Sequence, residues 1–316
     1  MNEKAFEAPI FVVGPLRSGT TLLRLMLDNH SDICNFGEFE YATKFARGSV
    51  FPETSEFIAK LNEDRQFCRD QFFINSDLSY CELIRSFLRQ AHERSTKRFI
   101  SASIHGRFDL IKQVWPNARF IFLLRDPRDV ARSCIQMGWC GNVWYGSDYW
   151  KDVLDRWDGL MAQIEPSDFS VVRYEDLVRN PQSSLAGICD FIGIPYDESM
   201  LRFHETSTYQ PIDVSLAEQW KTKLSKAEIG LVEGKCAGLM RKWGYEVTTD
   251  ATGPGPLRRI ALFCQSRTWR LKFNFKRYGL LLYVKMQLAR RILPRGSSWR
   301  RTVLRQAQEV ETLHLK

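Results

Sequence analysis

Short apolar runs alternate with amphipathic stretches along most of this chain. Four segments have the composition of strands: 10–13, 98–102, 120–124 and 169–173. The run 120–124 is apolar without interruption, which is typical of a strand buried on both faces of a parallel sheet. Stretches with helical spacing of apolar residues separate these runs. The pattern predicts an α/β fold with a central parallel sheet flanked by helices.

Helices are predicted between the strands. The first follows residue 19, and the others are predicted at 81–93, 109–114, 127–137, 182–192 and within 214–245. Asp126-Pro127 offers an N-cap followed by proline at the first helical position. Residues 31–80 show no clear period, and we expect them to form loops and short helices that face the substrate.

Positive charge is concentrated at the end of the chain. Residues 251–316 carry 15 Lys and Arg against two Glu, a net charge of +13, whereas the other 250 residues carry −5. The segment 248–256 (TTDATGPGP) has the composition of a linker. We therefore predict a domain at 1–247, a linker at 248–256 and a basic amphipathic helical extension at 257–316.

The extension combines an apolar stripe with arginines. Leu281, Val284 and Leu288 recur at helical spacing, close to Arg290 and Arg291. Such a helix can pack on the body or lie on an anionic membrane surface, and both interpretations stay open at this point. Specific nucleic-acid binding is not expected, because no base-reading motif accompanies the charge.

Cysteine usage and the first residues bear on the compartment. The eight cysteines include no C-x-x-C pair and no Cys/His cluster with zinc spacing. The first eight residues lack the apolar core of a secretory signal. We expect a cytoplasmic protein, with a membrane-peripheral location as the alternative.

The first predicted strand runs into a glycine-containing turn. Gly14-Pro-Leu-Arg17-Ser-Gly19-Thr20-Thr21 has the glycine spacing of a phosphate-binding loop between a strand and a helix. In a Walker loop, a lysine follows the second glycine and contacts the β- and γ-phosphates. Here Thr20 occupies that position, and the cation lies within the loop at Arg17. The loop suits a nucleotide anion but not ATP hydrolysis.

A second anion site is predicted at the end of the strand 120–124. P-loop nucleotide hydrolases hold Mg²⁺ with an aspartate there, but this strand ends in Arg125. A guanidinium repels a metal ion and binds an anion bidentately. Ser133 follows eight residues later, on the helix predicted at 127–137. Together the two sites indicate a nucleotide with two separated anionic groups, bound without a metal ion.

These segments resemble the motifs of the sulfotransferase family. The loop at 14–22 resembles the 5′-phosphosulfate loop of that family, and 120–133 resembles its 3′-phosphate motif. Two later segments are also similar to family blocks: 172–177 and 219–245. With Arg17 in the loop instead of a lysine, the chain resembles the bacterial and tyrosylprotein-type branch of the family most. The resemblance implies a P-loop NTPase-like sulfotransferase fold and 3′-phosphoadenosine 5′-phosphosulfate (PAPS) as the donor, with PAP as the product.

The resemblance also implies roles for individual residues. The 5′-phosphosulfate would be held by Arg17, Ser18, Gly19, Thr20 and Thr21. Arg125 and Ser133 would hold the 3′-phosphate, and Tyr174 would line the nucleotide. Lys221 or Lys223 is a further candidate phosphate contact. No metal ion is implied.

The implied reaction is sulfuryl transfer from PAPS to a hydroxyl acceptor, in which positioning and positive charge carry most of the catalysis. Arg17 is the candidate for stabilising the leaving phosphate. A base must take the acceptor's proton. Glu38 is the first candidate, as in the tyrosylprotein-type branch; Glu40 is a fallback and His105 a second candidate. Residues 100–105 lack the Lys-Thr-Pro-like element that relatives often carry.

Other functions stay open on sequence alone. A P-loop kinase or nucleotide hydrolase is disfavoured by Thr20 and Arg125, and Mg²⁺-dependent ATP hydrolysis would support it. A non-catalytic nucleotide-binding or membrane-interaction protein is favoured by the missing lysine and the basic extension, and predicts PAPS binding without turnover. The acceptor is a carbohydrate, a tyrosyl peptide, a lipid or a natural product.

Overall fold

A computed structural model describes residues 7–250, 252–294 and 297–314 of the chain. Residues 1–6, which belong to the predicted domain 1–247 and to the segment searched for a secretory signal, lie outside the described residues. The same is true of Ala251 in the predicted linker and of four positions in the predicted extension: 295, 296, 315 and 316.

Five parallel strands form the central sheet, and the predicted α/β class is confirmed. The strands are β1 Ile10–Val13, β2 Ile33–Glu38, β3 Phe99–Ile104, β4 Arg119–Leu124 and β5 Phe169–Arg173. Their order across the sheet is β2-β3-β1-β4-β5. The central strand β1 therefore lies where the strand order reverses, and α/β proteins bind ligands beyond the carboxyl ends of the strands at such a point.

Helices cover both faces of the sheet. They are α1 Thr20–Asn29, α2 Thr54–Leu61, α3 Arg65–Asp70, α4 Tyr80–Glu93, α5 Ile111–Val114, α6 Pro127–Gln136, α7 Val143–Gly146, α8 Asp148–Met161, α9 Tyr174–Arg179, α10 Pro181–Ile192, α11 Trp220–Lys223, α12 Lys226–Lys242, α13 Pro256–Ile292 and α14 Ser298–His314. The predicted cap of α6 is present, because the Asp126 carboxylate accepts a hydrogen bond from the Arg128 amide at 2.8 Å.

Alternate side chains of the central strands fill two cores. In β1, Phe11 and Val13 face one core, whereas Ile10 and Val12 face the other. All four are at most 1% exposed. Burial on both faces explains the uninterrupted apolar runs, since each such side chain contributes about 1.5–3 kcal/mol when it is fully buried.

The expectation that residues 31–80 lack strands was wrong. Strand β2 pairs with β3 at one edge of the sheet, and its register shifts between Asn35 and Glu38. An edge strand has one neighbour and a half-exposed face, so β2 tolerates Asn35 and Gly37 and shows no continuous apolar run. The irregular pairing ends at Glu38, and such bulges redirect side chains near functional sites.

The extension packs on the body through the first part of α13, which is one of the two interpretations of its sequence. Leu262 lies in an apolar cluster with Ala131 and Val143, and Phe273 packs against Gly138. At Gly279 the backbone has φ 72° and ψ 157°, which interrupts the helix at a conformation that favours glycine.

Beyond the interruption, residues 280–292 of α13 pack against α14, and we call these two helical segments the hairpin. The two helices share an apolar cluster of Met286, Ala289, Val303 and Ala307, which is separate from the two cores of the body. The hairpin therefore has a small core of its own.

Candidate functional site

The loop between β1 and α1 ends in a glycine that the structure requires. Gly19 has φ 92°, and a Cβ atom there would lie 2.5 Å from the Tyr174 ring. Gly19 is also the N-cap of α1 and places no side chain on the amides of the first turn. Those amides and the positive end of the helix dipole offer a site for an anion.

Arg17 lies within this loop in a conformation that is rare for its residue type. Its φ is 71°, in the left-handed region, which costs a non-glycine residue about 1–3 kcal/mol. Its Nε donates a hydrogen bond to the Ser133 hydroxyl at 3.0 Å, and its carbonyl accepts one from Nη1 of Arg125 at 3.0 Å. The two arginines predicted from the sequence are thus tied to one loop.

Arg125 follows β4 and is held by several groups. Its Nη2 donates to the Leu216 carbonyl at 2.6 Å, and its guanidinium lies 4.2 Å from the centroid of the Tyr174 ring. Asp129 is 3.7 Å from Nη2, and burial raises the pKa of Asp129 although Arg125 acts in the opposite direction. The Nε of Arg125 is buried without a hydrogen-bond partner among the described residues. Arg125 is a fixed cation whose Nε donor is still to be satisfied.

A cleft of about 520 Å³, which we call the arginine cleft, opens beside these side chains. Its lining includes Arg17, Gly19, Thr20, Thr21, Arg125, Tyr174, Tyr209 and Asp213. Six of the eight residues predicted to bind the donor therefore line one cavity. Of the other two, Ser18 is fully buried with its hydroxyl unpartnered, and Ser133 accepts from Arg17 and does not line this cleft.

A second cleft, of about 690 Å³, adjoins the loop at Leu16, and we call it the carboxylate cleft. Its lining includes six carboxylates, Glu38, Glu40, Glu63, Asp64, Asp152 and Glu311, and three cations, Lys44, Arg65 and Arg156. Glu38 at the end of β2 accepts a hydrogen bond from Nε2 of Gln66 at 2.5 Å. Glu38 is half-buried and keeps further lone pairs for another donor.

The other two candidate bases are engaged by the backbone. Glu40 accepts hydrogen bonds from the amides of His105 and Gly106, the second at 3.2 Å. Burial raises the pKa of the Glu40 carboxyl, while His105 and the two amides act in the opposite direction. The His105 ring contacts the loop through Nδ1, 3.0 Å from the Gly14 carbonyl, and through Nε2, 3.4 Å from the Thr20 hydroxyl.

The partners of the His105 ring identify its tautomer. A carbonyl oxygen can only accept, so Nδ1 donates to Gly14, and in the neutral ring Nε2 then accepts from the Thr20 hydroxyl. In the protein as described, His105 therefore orients the loop, and neither ring nitrogen is open to a substrate. Glu38 is the candidate base with the most open geometry.

The two clefts share a thin wall. Leu16 lines the carboxylate cleft and its neighbour Arg17 lines the arginine cleft. Thr20 on one side contacts His105 on the other across a single hydrogen bond. Groups bound in the two clefts would therefore lie next to each other, on either side of the loop.

The late lysine candidates lie elsewhere. Lys221 pairs with Glu218 at 2.9 Å, and neither Lys221 nor Lys223 is among the described residues that line the arginine cleft. Within the described ranges, no group of three or more His, Cys, Asp or Glu side chains is placed to hold a metal ion.

Several lining residues were missed by sequence reasoning. Residues 208–213 form one side of the arginine cleft, but this segment has neither a helical nor a strand period. Gln66 and Glu311 line the carboxylate cleft from helices α3 and α14. No local pattern marks these positions, because tertiary packing alone brings them to the site.

Comparison with protein families supports this reading of the loop. A profile described as "Sulfotransferase family" matches residues 9–198. The matched segment contains the loop, Arg125, Ser133 and Tyr174. It is 60% of the chain and stops well before the extension.

Individual relatives are distant. An uncharacterized protein of Aquifex aeolicus (strain VF5) is 24% identical over 71% of this chain and 30% of its own length. A putative protein-tyrosine sulfotransferase of Caenorhabditis briggsae is 25% identical over 63% of this chain and 70% of its own length. The chain thus spans less than a third of the first of these relatives.

A solved structure shares the fold. The sulfotransferase domain from the curacin biosynthetic pathway aligns with a TM-score of 0.56 at 20% identity, over 76% of this chain and 98% of that domain. Nearly the whole of that domain is matched, so about a quarter of this chain has no counterpart in it.

Proposed function

This chain belongs to the sulfotransferase family, and from that membership we propose that it transfers a sulfuryl group from PAPS to a hydroxyl-bearing acceptor. The observation that carries the proposal is the pair of clefts across one wall. One cleft is lined by two fixed arginines, and the other contains a carboxylate with free lone pairs. The donor would occupy the arginine cleft and the acceptor the carboxylate cleft.

The arginine cleft fits a donor with two anionic groups. The loop, Arg17 and the uncapped amides of α1 would hold the 5′-phosphosulfate. Arg125, stacked on Tyr174, would hold the 3′-phosphate through its unpartnered Nε. The buried Ser18 hydroxyl is a further donor without a partner among the described residues. These groups match the two phosphate ends of PAPS without a metal ion.

The proposed chemistry needs charge stabilisation and a base. Bound PAPS supplies the sulfuryl group and a phosphate leaving group. Arg17 would stabilise the negative charge that develops near the loop, since a preorganised cation is more effective there than water. Glu38 would accept the proton of the acceptor hydroxyl.

Donor binding can be tested by calorimetry with PAP. We expect Arg125→Ala to weaken PAP binding by about 10- to 100-fold, because a hydrogen bond to a charged group contributes about 1.5–3 kcal/mol. Arg47→Ala is the matched control, since the Arg47 side chain is 84% exposed and lies outside both clefts. Wild-type protein that does not bind PAP would refute the proposed function.

The base can be tested by turnover. We expect Glu38→Gln to lower kcat by about 10²-fold, while PAP affinity stays unchanged, because the amide cannot take a proton. PAP release from PAPS is measured with the first hydroxyl acceptor of a panel that supports turnover. Glu53→Gln serves as the control, since Glu53 is exposed and makes no side-chain cap contact. A Glu38→Gln enzyme with wild-type kcat would exclude Glu38 as the base.

The extension is proposed to contact an anionic membrane surface, which would give the protein a membrane-peripheral location. Of the 18 large apolar side chains exposed within the described residues, 12 lie between residues 257 and 299. The same part of the chain carries the excess of positive charge. None of the helices that the structure describes is long and apolar enough to cross a bilayer.

A further inference from the structure

The hairpin contributes directly to the carboxylate cleft. Glu311 lies in the lining of that cleft, where its Oε2 is 3.5 Å from Nη1 of Arg65. Its other oxygen accepts a hydrogen bond from the Tyr278 hydroxyl at 2.6 Å. The extension therefore contributes one residue, Glu311, to the lining of the proposed acceptor site.

The cleft also continues beneath the hairpin. A groove of about 390 Å³ lies between the hairpin and the body. Five residues line both this groove and the carboxylate cleft: Lys44, Glu63, Asp64, Arg65 and Glu311. Phe45, Leu304 and Ala307 add apolar surface to the groove. An acceptor in the cleft could thus extend along the hairpin.

Two ion pairs join the hairpin to the body. Its ion pairs with the body, Arg65–Glu311 and Arg300–Glu63, are both 3.5 Å long and partly exposed, so each contributes little. Its apolar cluster joins its own two helices. The interruption at Gly279 separates this unit from the part of α13 that packs on the body. Across the interruption, Tyr278 donates to Glu311, and the Phe275 and Tyr283 rings lie 5.1 Å apart.

The outer face of the hairpin is apolar and flanked by cations. Five of its apolar side chains are 43–70% exposed, and they recur at helical spacing: Leu280, Leu281, Val284, Leu288 and Ile292. Lys285 and Arg291 lie among them in the sequence, whereas Arg290 lines the groove beneath the hairpin. An apolar stripe with flanking cations is the pattern of a helix that lies in the interface of an anionic bilayer.

We propose that the hairpin holds the carboxylate cleft against an anionic bilayer, and that the acceptor is a membrane amphiphile whose hydroxyl-bearing headgroup enters the cleft from that surface. This inference rests on the proposed function. A bond forms between the headgroup oxygen and sulfur as the bond between sulfur and the phosphate oxygen breaks. The hydroxyl proton passes to Glu38, and PAP leaves. The hairpin then contacts the bilayer and also supplies Glu311 to the lining of the acceptor site.

The test uses the full chain, radiolabelled PAPS and two kinds of acceptor. The first is a vesicle of phosphatidylcholine, phosphatidylglycerol and a monoglycosyl diacylglycerol. The second is water-soluble, namely a methyl glycoside and a short tyrosyl peptide. The variant is the double substitution Leu281→Glu and Leu288→Glu. The control is Phe73→Glu, because Phe73 is 74% exposed on the body and lies outside the extension.

Wild type and the control are expected to sediment with the vesicles and to label their lipid. The double variant should lose about 10-fold or more of both signals while its PAP affinity is unchanged. Lipid labelling by the double variant at the wild-type rate would overturn the proposal, as would label in the soluble acceptors alone or vesicle binding without labelled lipid.

Two further results of this test can be distinguished from those above. A dimer that forms without vesicles and is lost in the double variant would assign the stripe to a second copy of the chain, and would also overturn the proposal. Failure of the wild type to bind PAP would instead show that the proposed function itself is wrong.

Discussion

Replacement of Arg17 by alanine is expected to lower kcat by about 10³-fold, the upper range for loss of one preorganised stabilising group. Arg17 lines the arginine cleft next to the shared wall, and the Ser133 hydroxyl fixes its Nε. A cation held in place needs no reorganisation as charge develops on the leaving phosphate. Steady-state PAP release with any acceptor that supports turnover measures the effect.

Two further variants make this result specific. Arg17→Lys keeps the positive charge but loses the guanidinium Nε that donates to the Ser133 hydroxyl. We therefore expect this variant to recover part of the lost rate. Arg47→Ala removes an exposed arginine and should leave kcat unchanged. If Arg17→Ala turned over at the wild-type rate, Arg17 would have no part in the chemical step.

Replacement of Glu233 by alanine is expected to lower the free energy of unfolding by about 3–5 kcal/mol, the usual effect of breaking a buried ion pair from one side. Glu233 is fully buried and accepts from Nη1 of Arg128 at 2.7 Å. It also accepts from the amides and hydroxyls of Thr248 and Thr249, at 2.6–3.1 Å. Its loss would leave Arg128, which is 2% exposed, with Asp126 as its remaining carboxylate partner.

Urea unfolding followed by circular dichroism measures this change. Glu233→Gln keeps the shape and much of the hydrogen bonding, so a smaller loss is expected. Arg241→Ala on the same helix is the control, because Arg241 is exposed. A loss below about 1 kcal/mol for Glu233→Ala would be typical of a surface site and would contradict the buried network.

The same carboxylate makes stability depend on pH. Burial alone would raise the pKa of Glu233, but the bonds from Thr249 and Thr248 outweigh it and hold the pKa below its usual value of 4.5. The contribution is therefore present above pH 4.5 and is lost as the pH falls further. Glu233→Gln should flatten this acid limb of the stability curve.

The buried elements could be predicted from the sequence. The run 120–124 is continuous because both faces of β4 are covered, and Asp126-Pro127 gives a local start signal for α6. The anion loop could be predicted for the same kind of reason. Its glycines and Arg17 are set by backbone geometry within eight residues, so their spacing in the sequence carries the information.

The acceptor side could be predicted only in part. Glu38 is a candidate from the family resemblance and lines the carboxylate cleft, but strand β2 was missed because an edge strand needs no apolar run. Glu311 lies in helix α14, far from Glu38 along the chain, and only packing brings it to the cleft. The engagement of His105 by Gly14 and Thr20 is likewise a tertiary contact, so a single sequence could not distinguish a base from a loop support.

The left-handed backbone of Arg17 has a consequence for protein engineering. Glycine at this position would relieve the strain and raise the melting temperature, since it adopts φ 71° without a steric cost. A directed-evolution campaign that selects on heat resistance alone would therefore favour Arg17→Gly and collect robust but inactive clones. Selection for thermal robustness in this family member should be paired at every round with a screen for turnover.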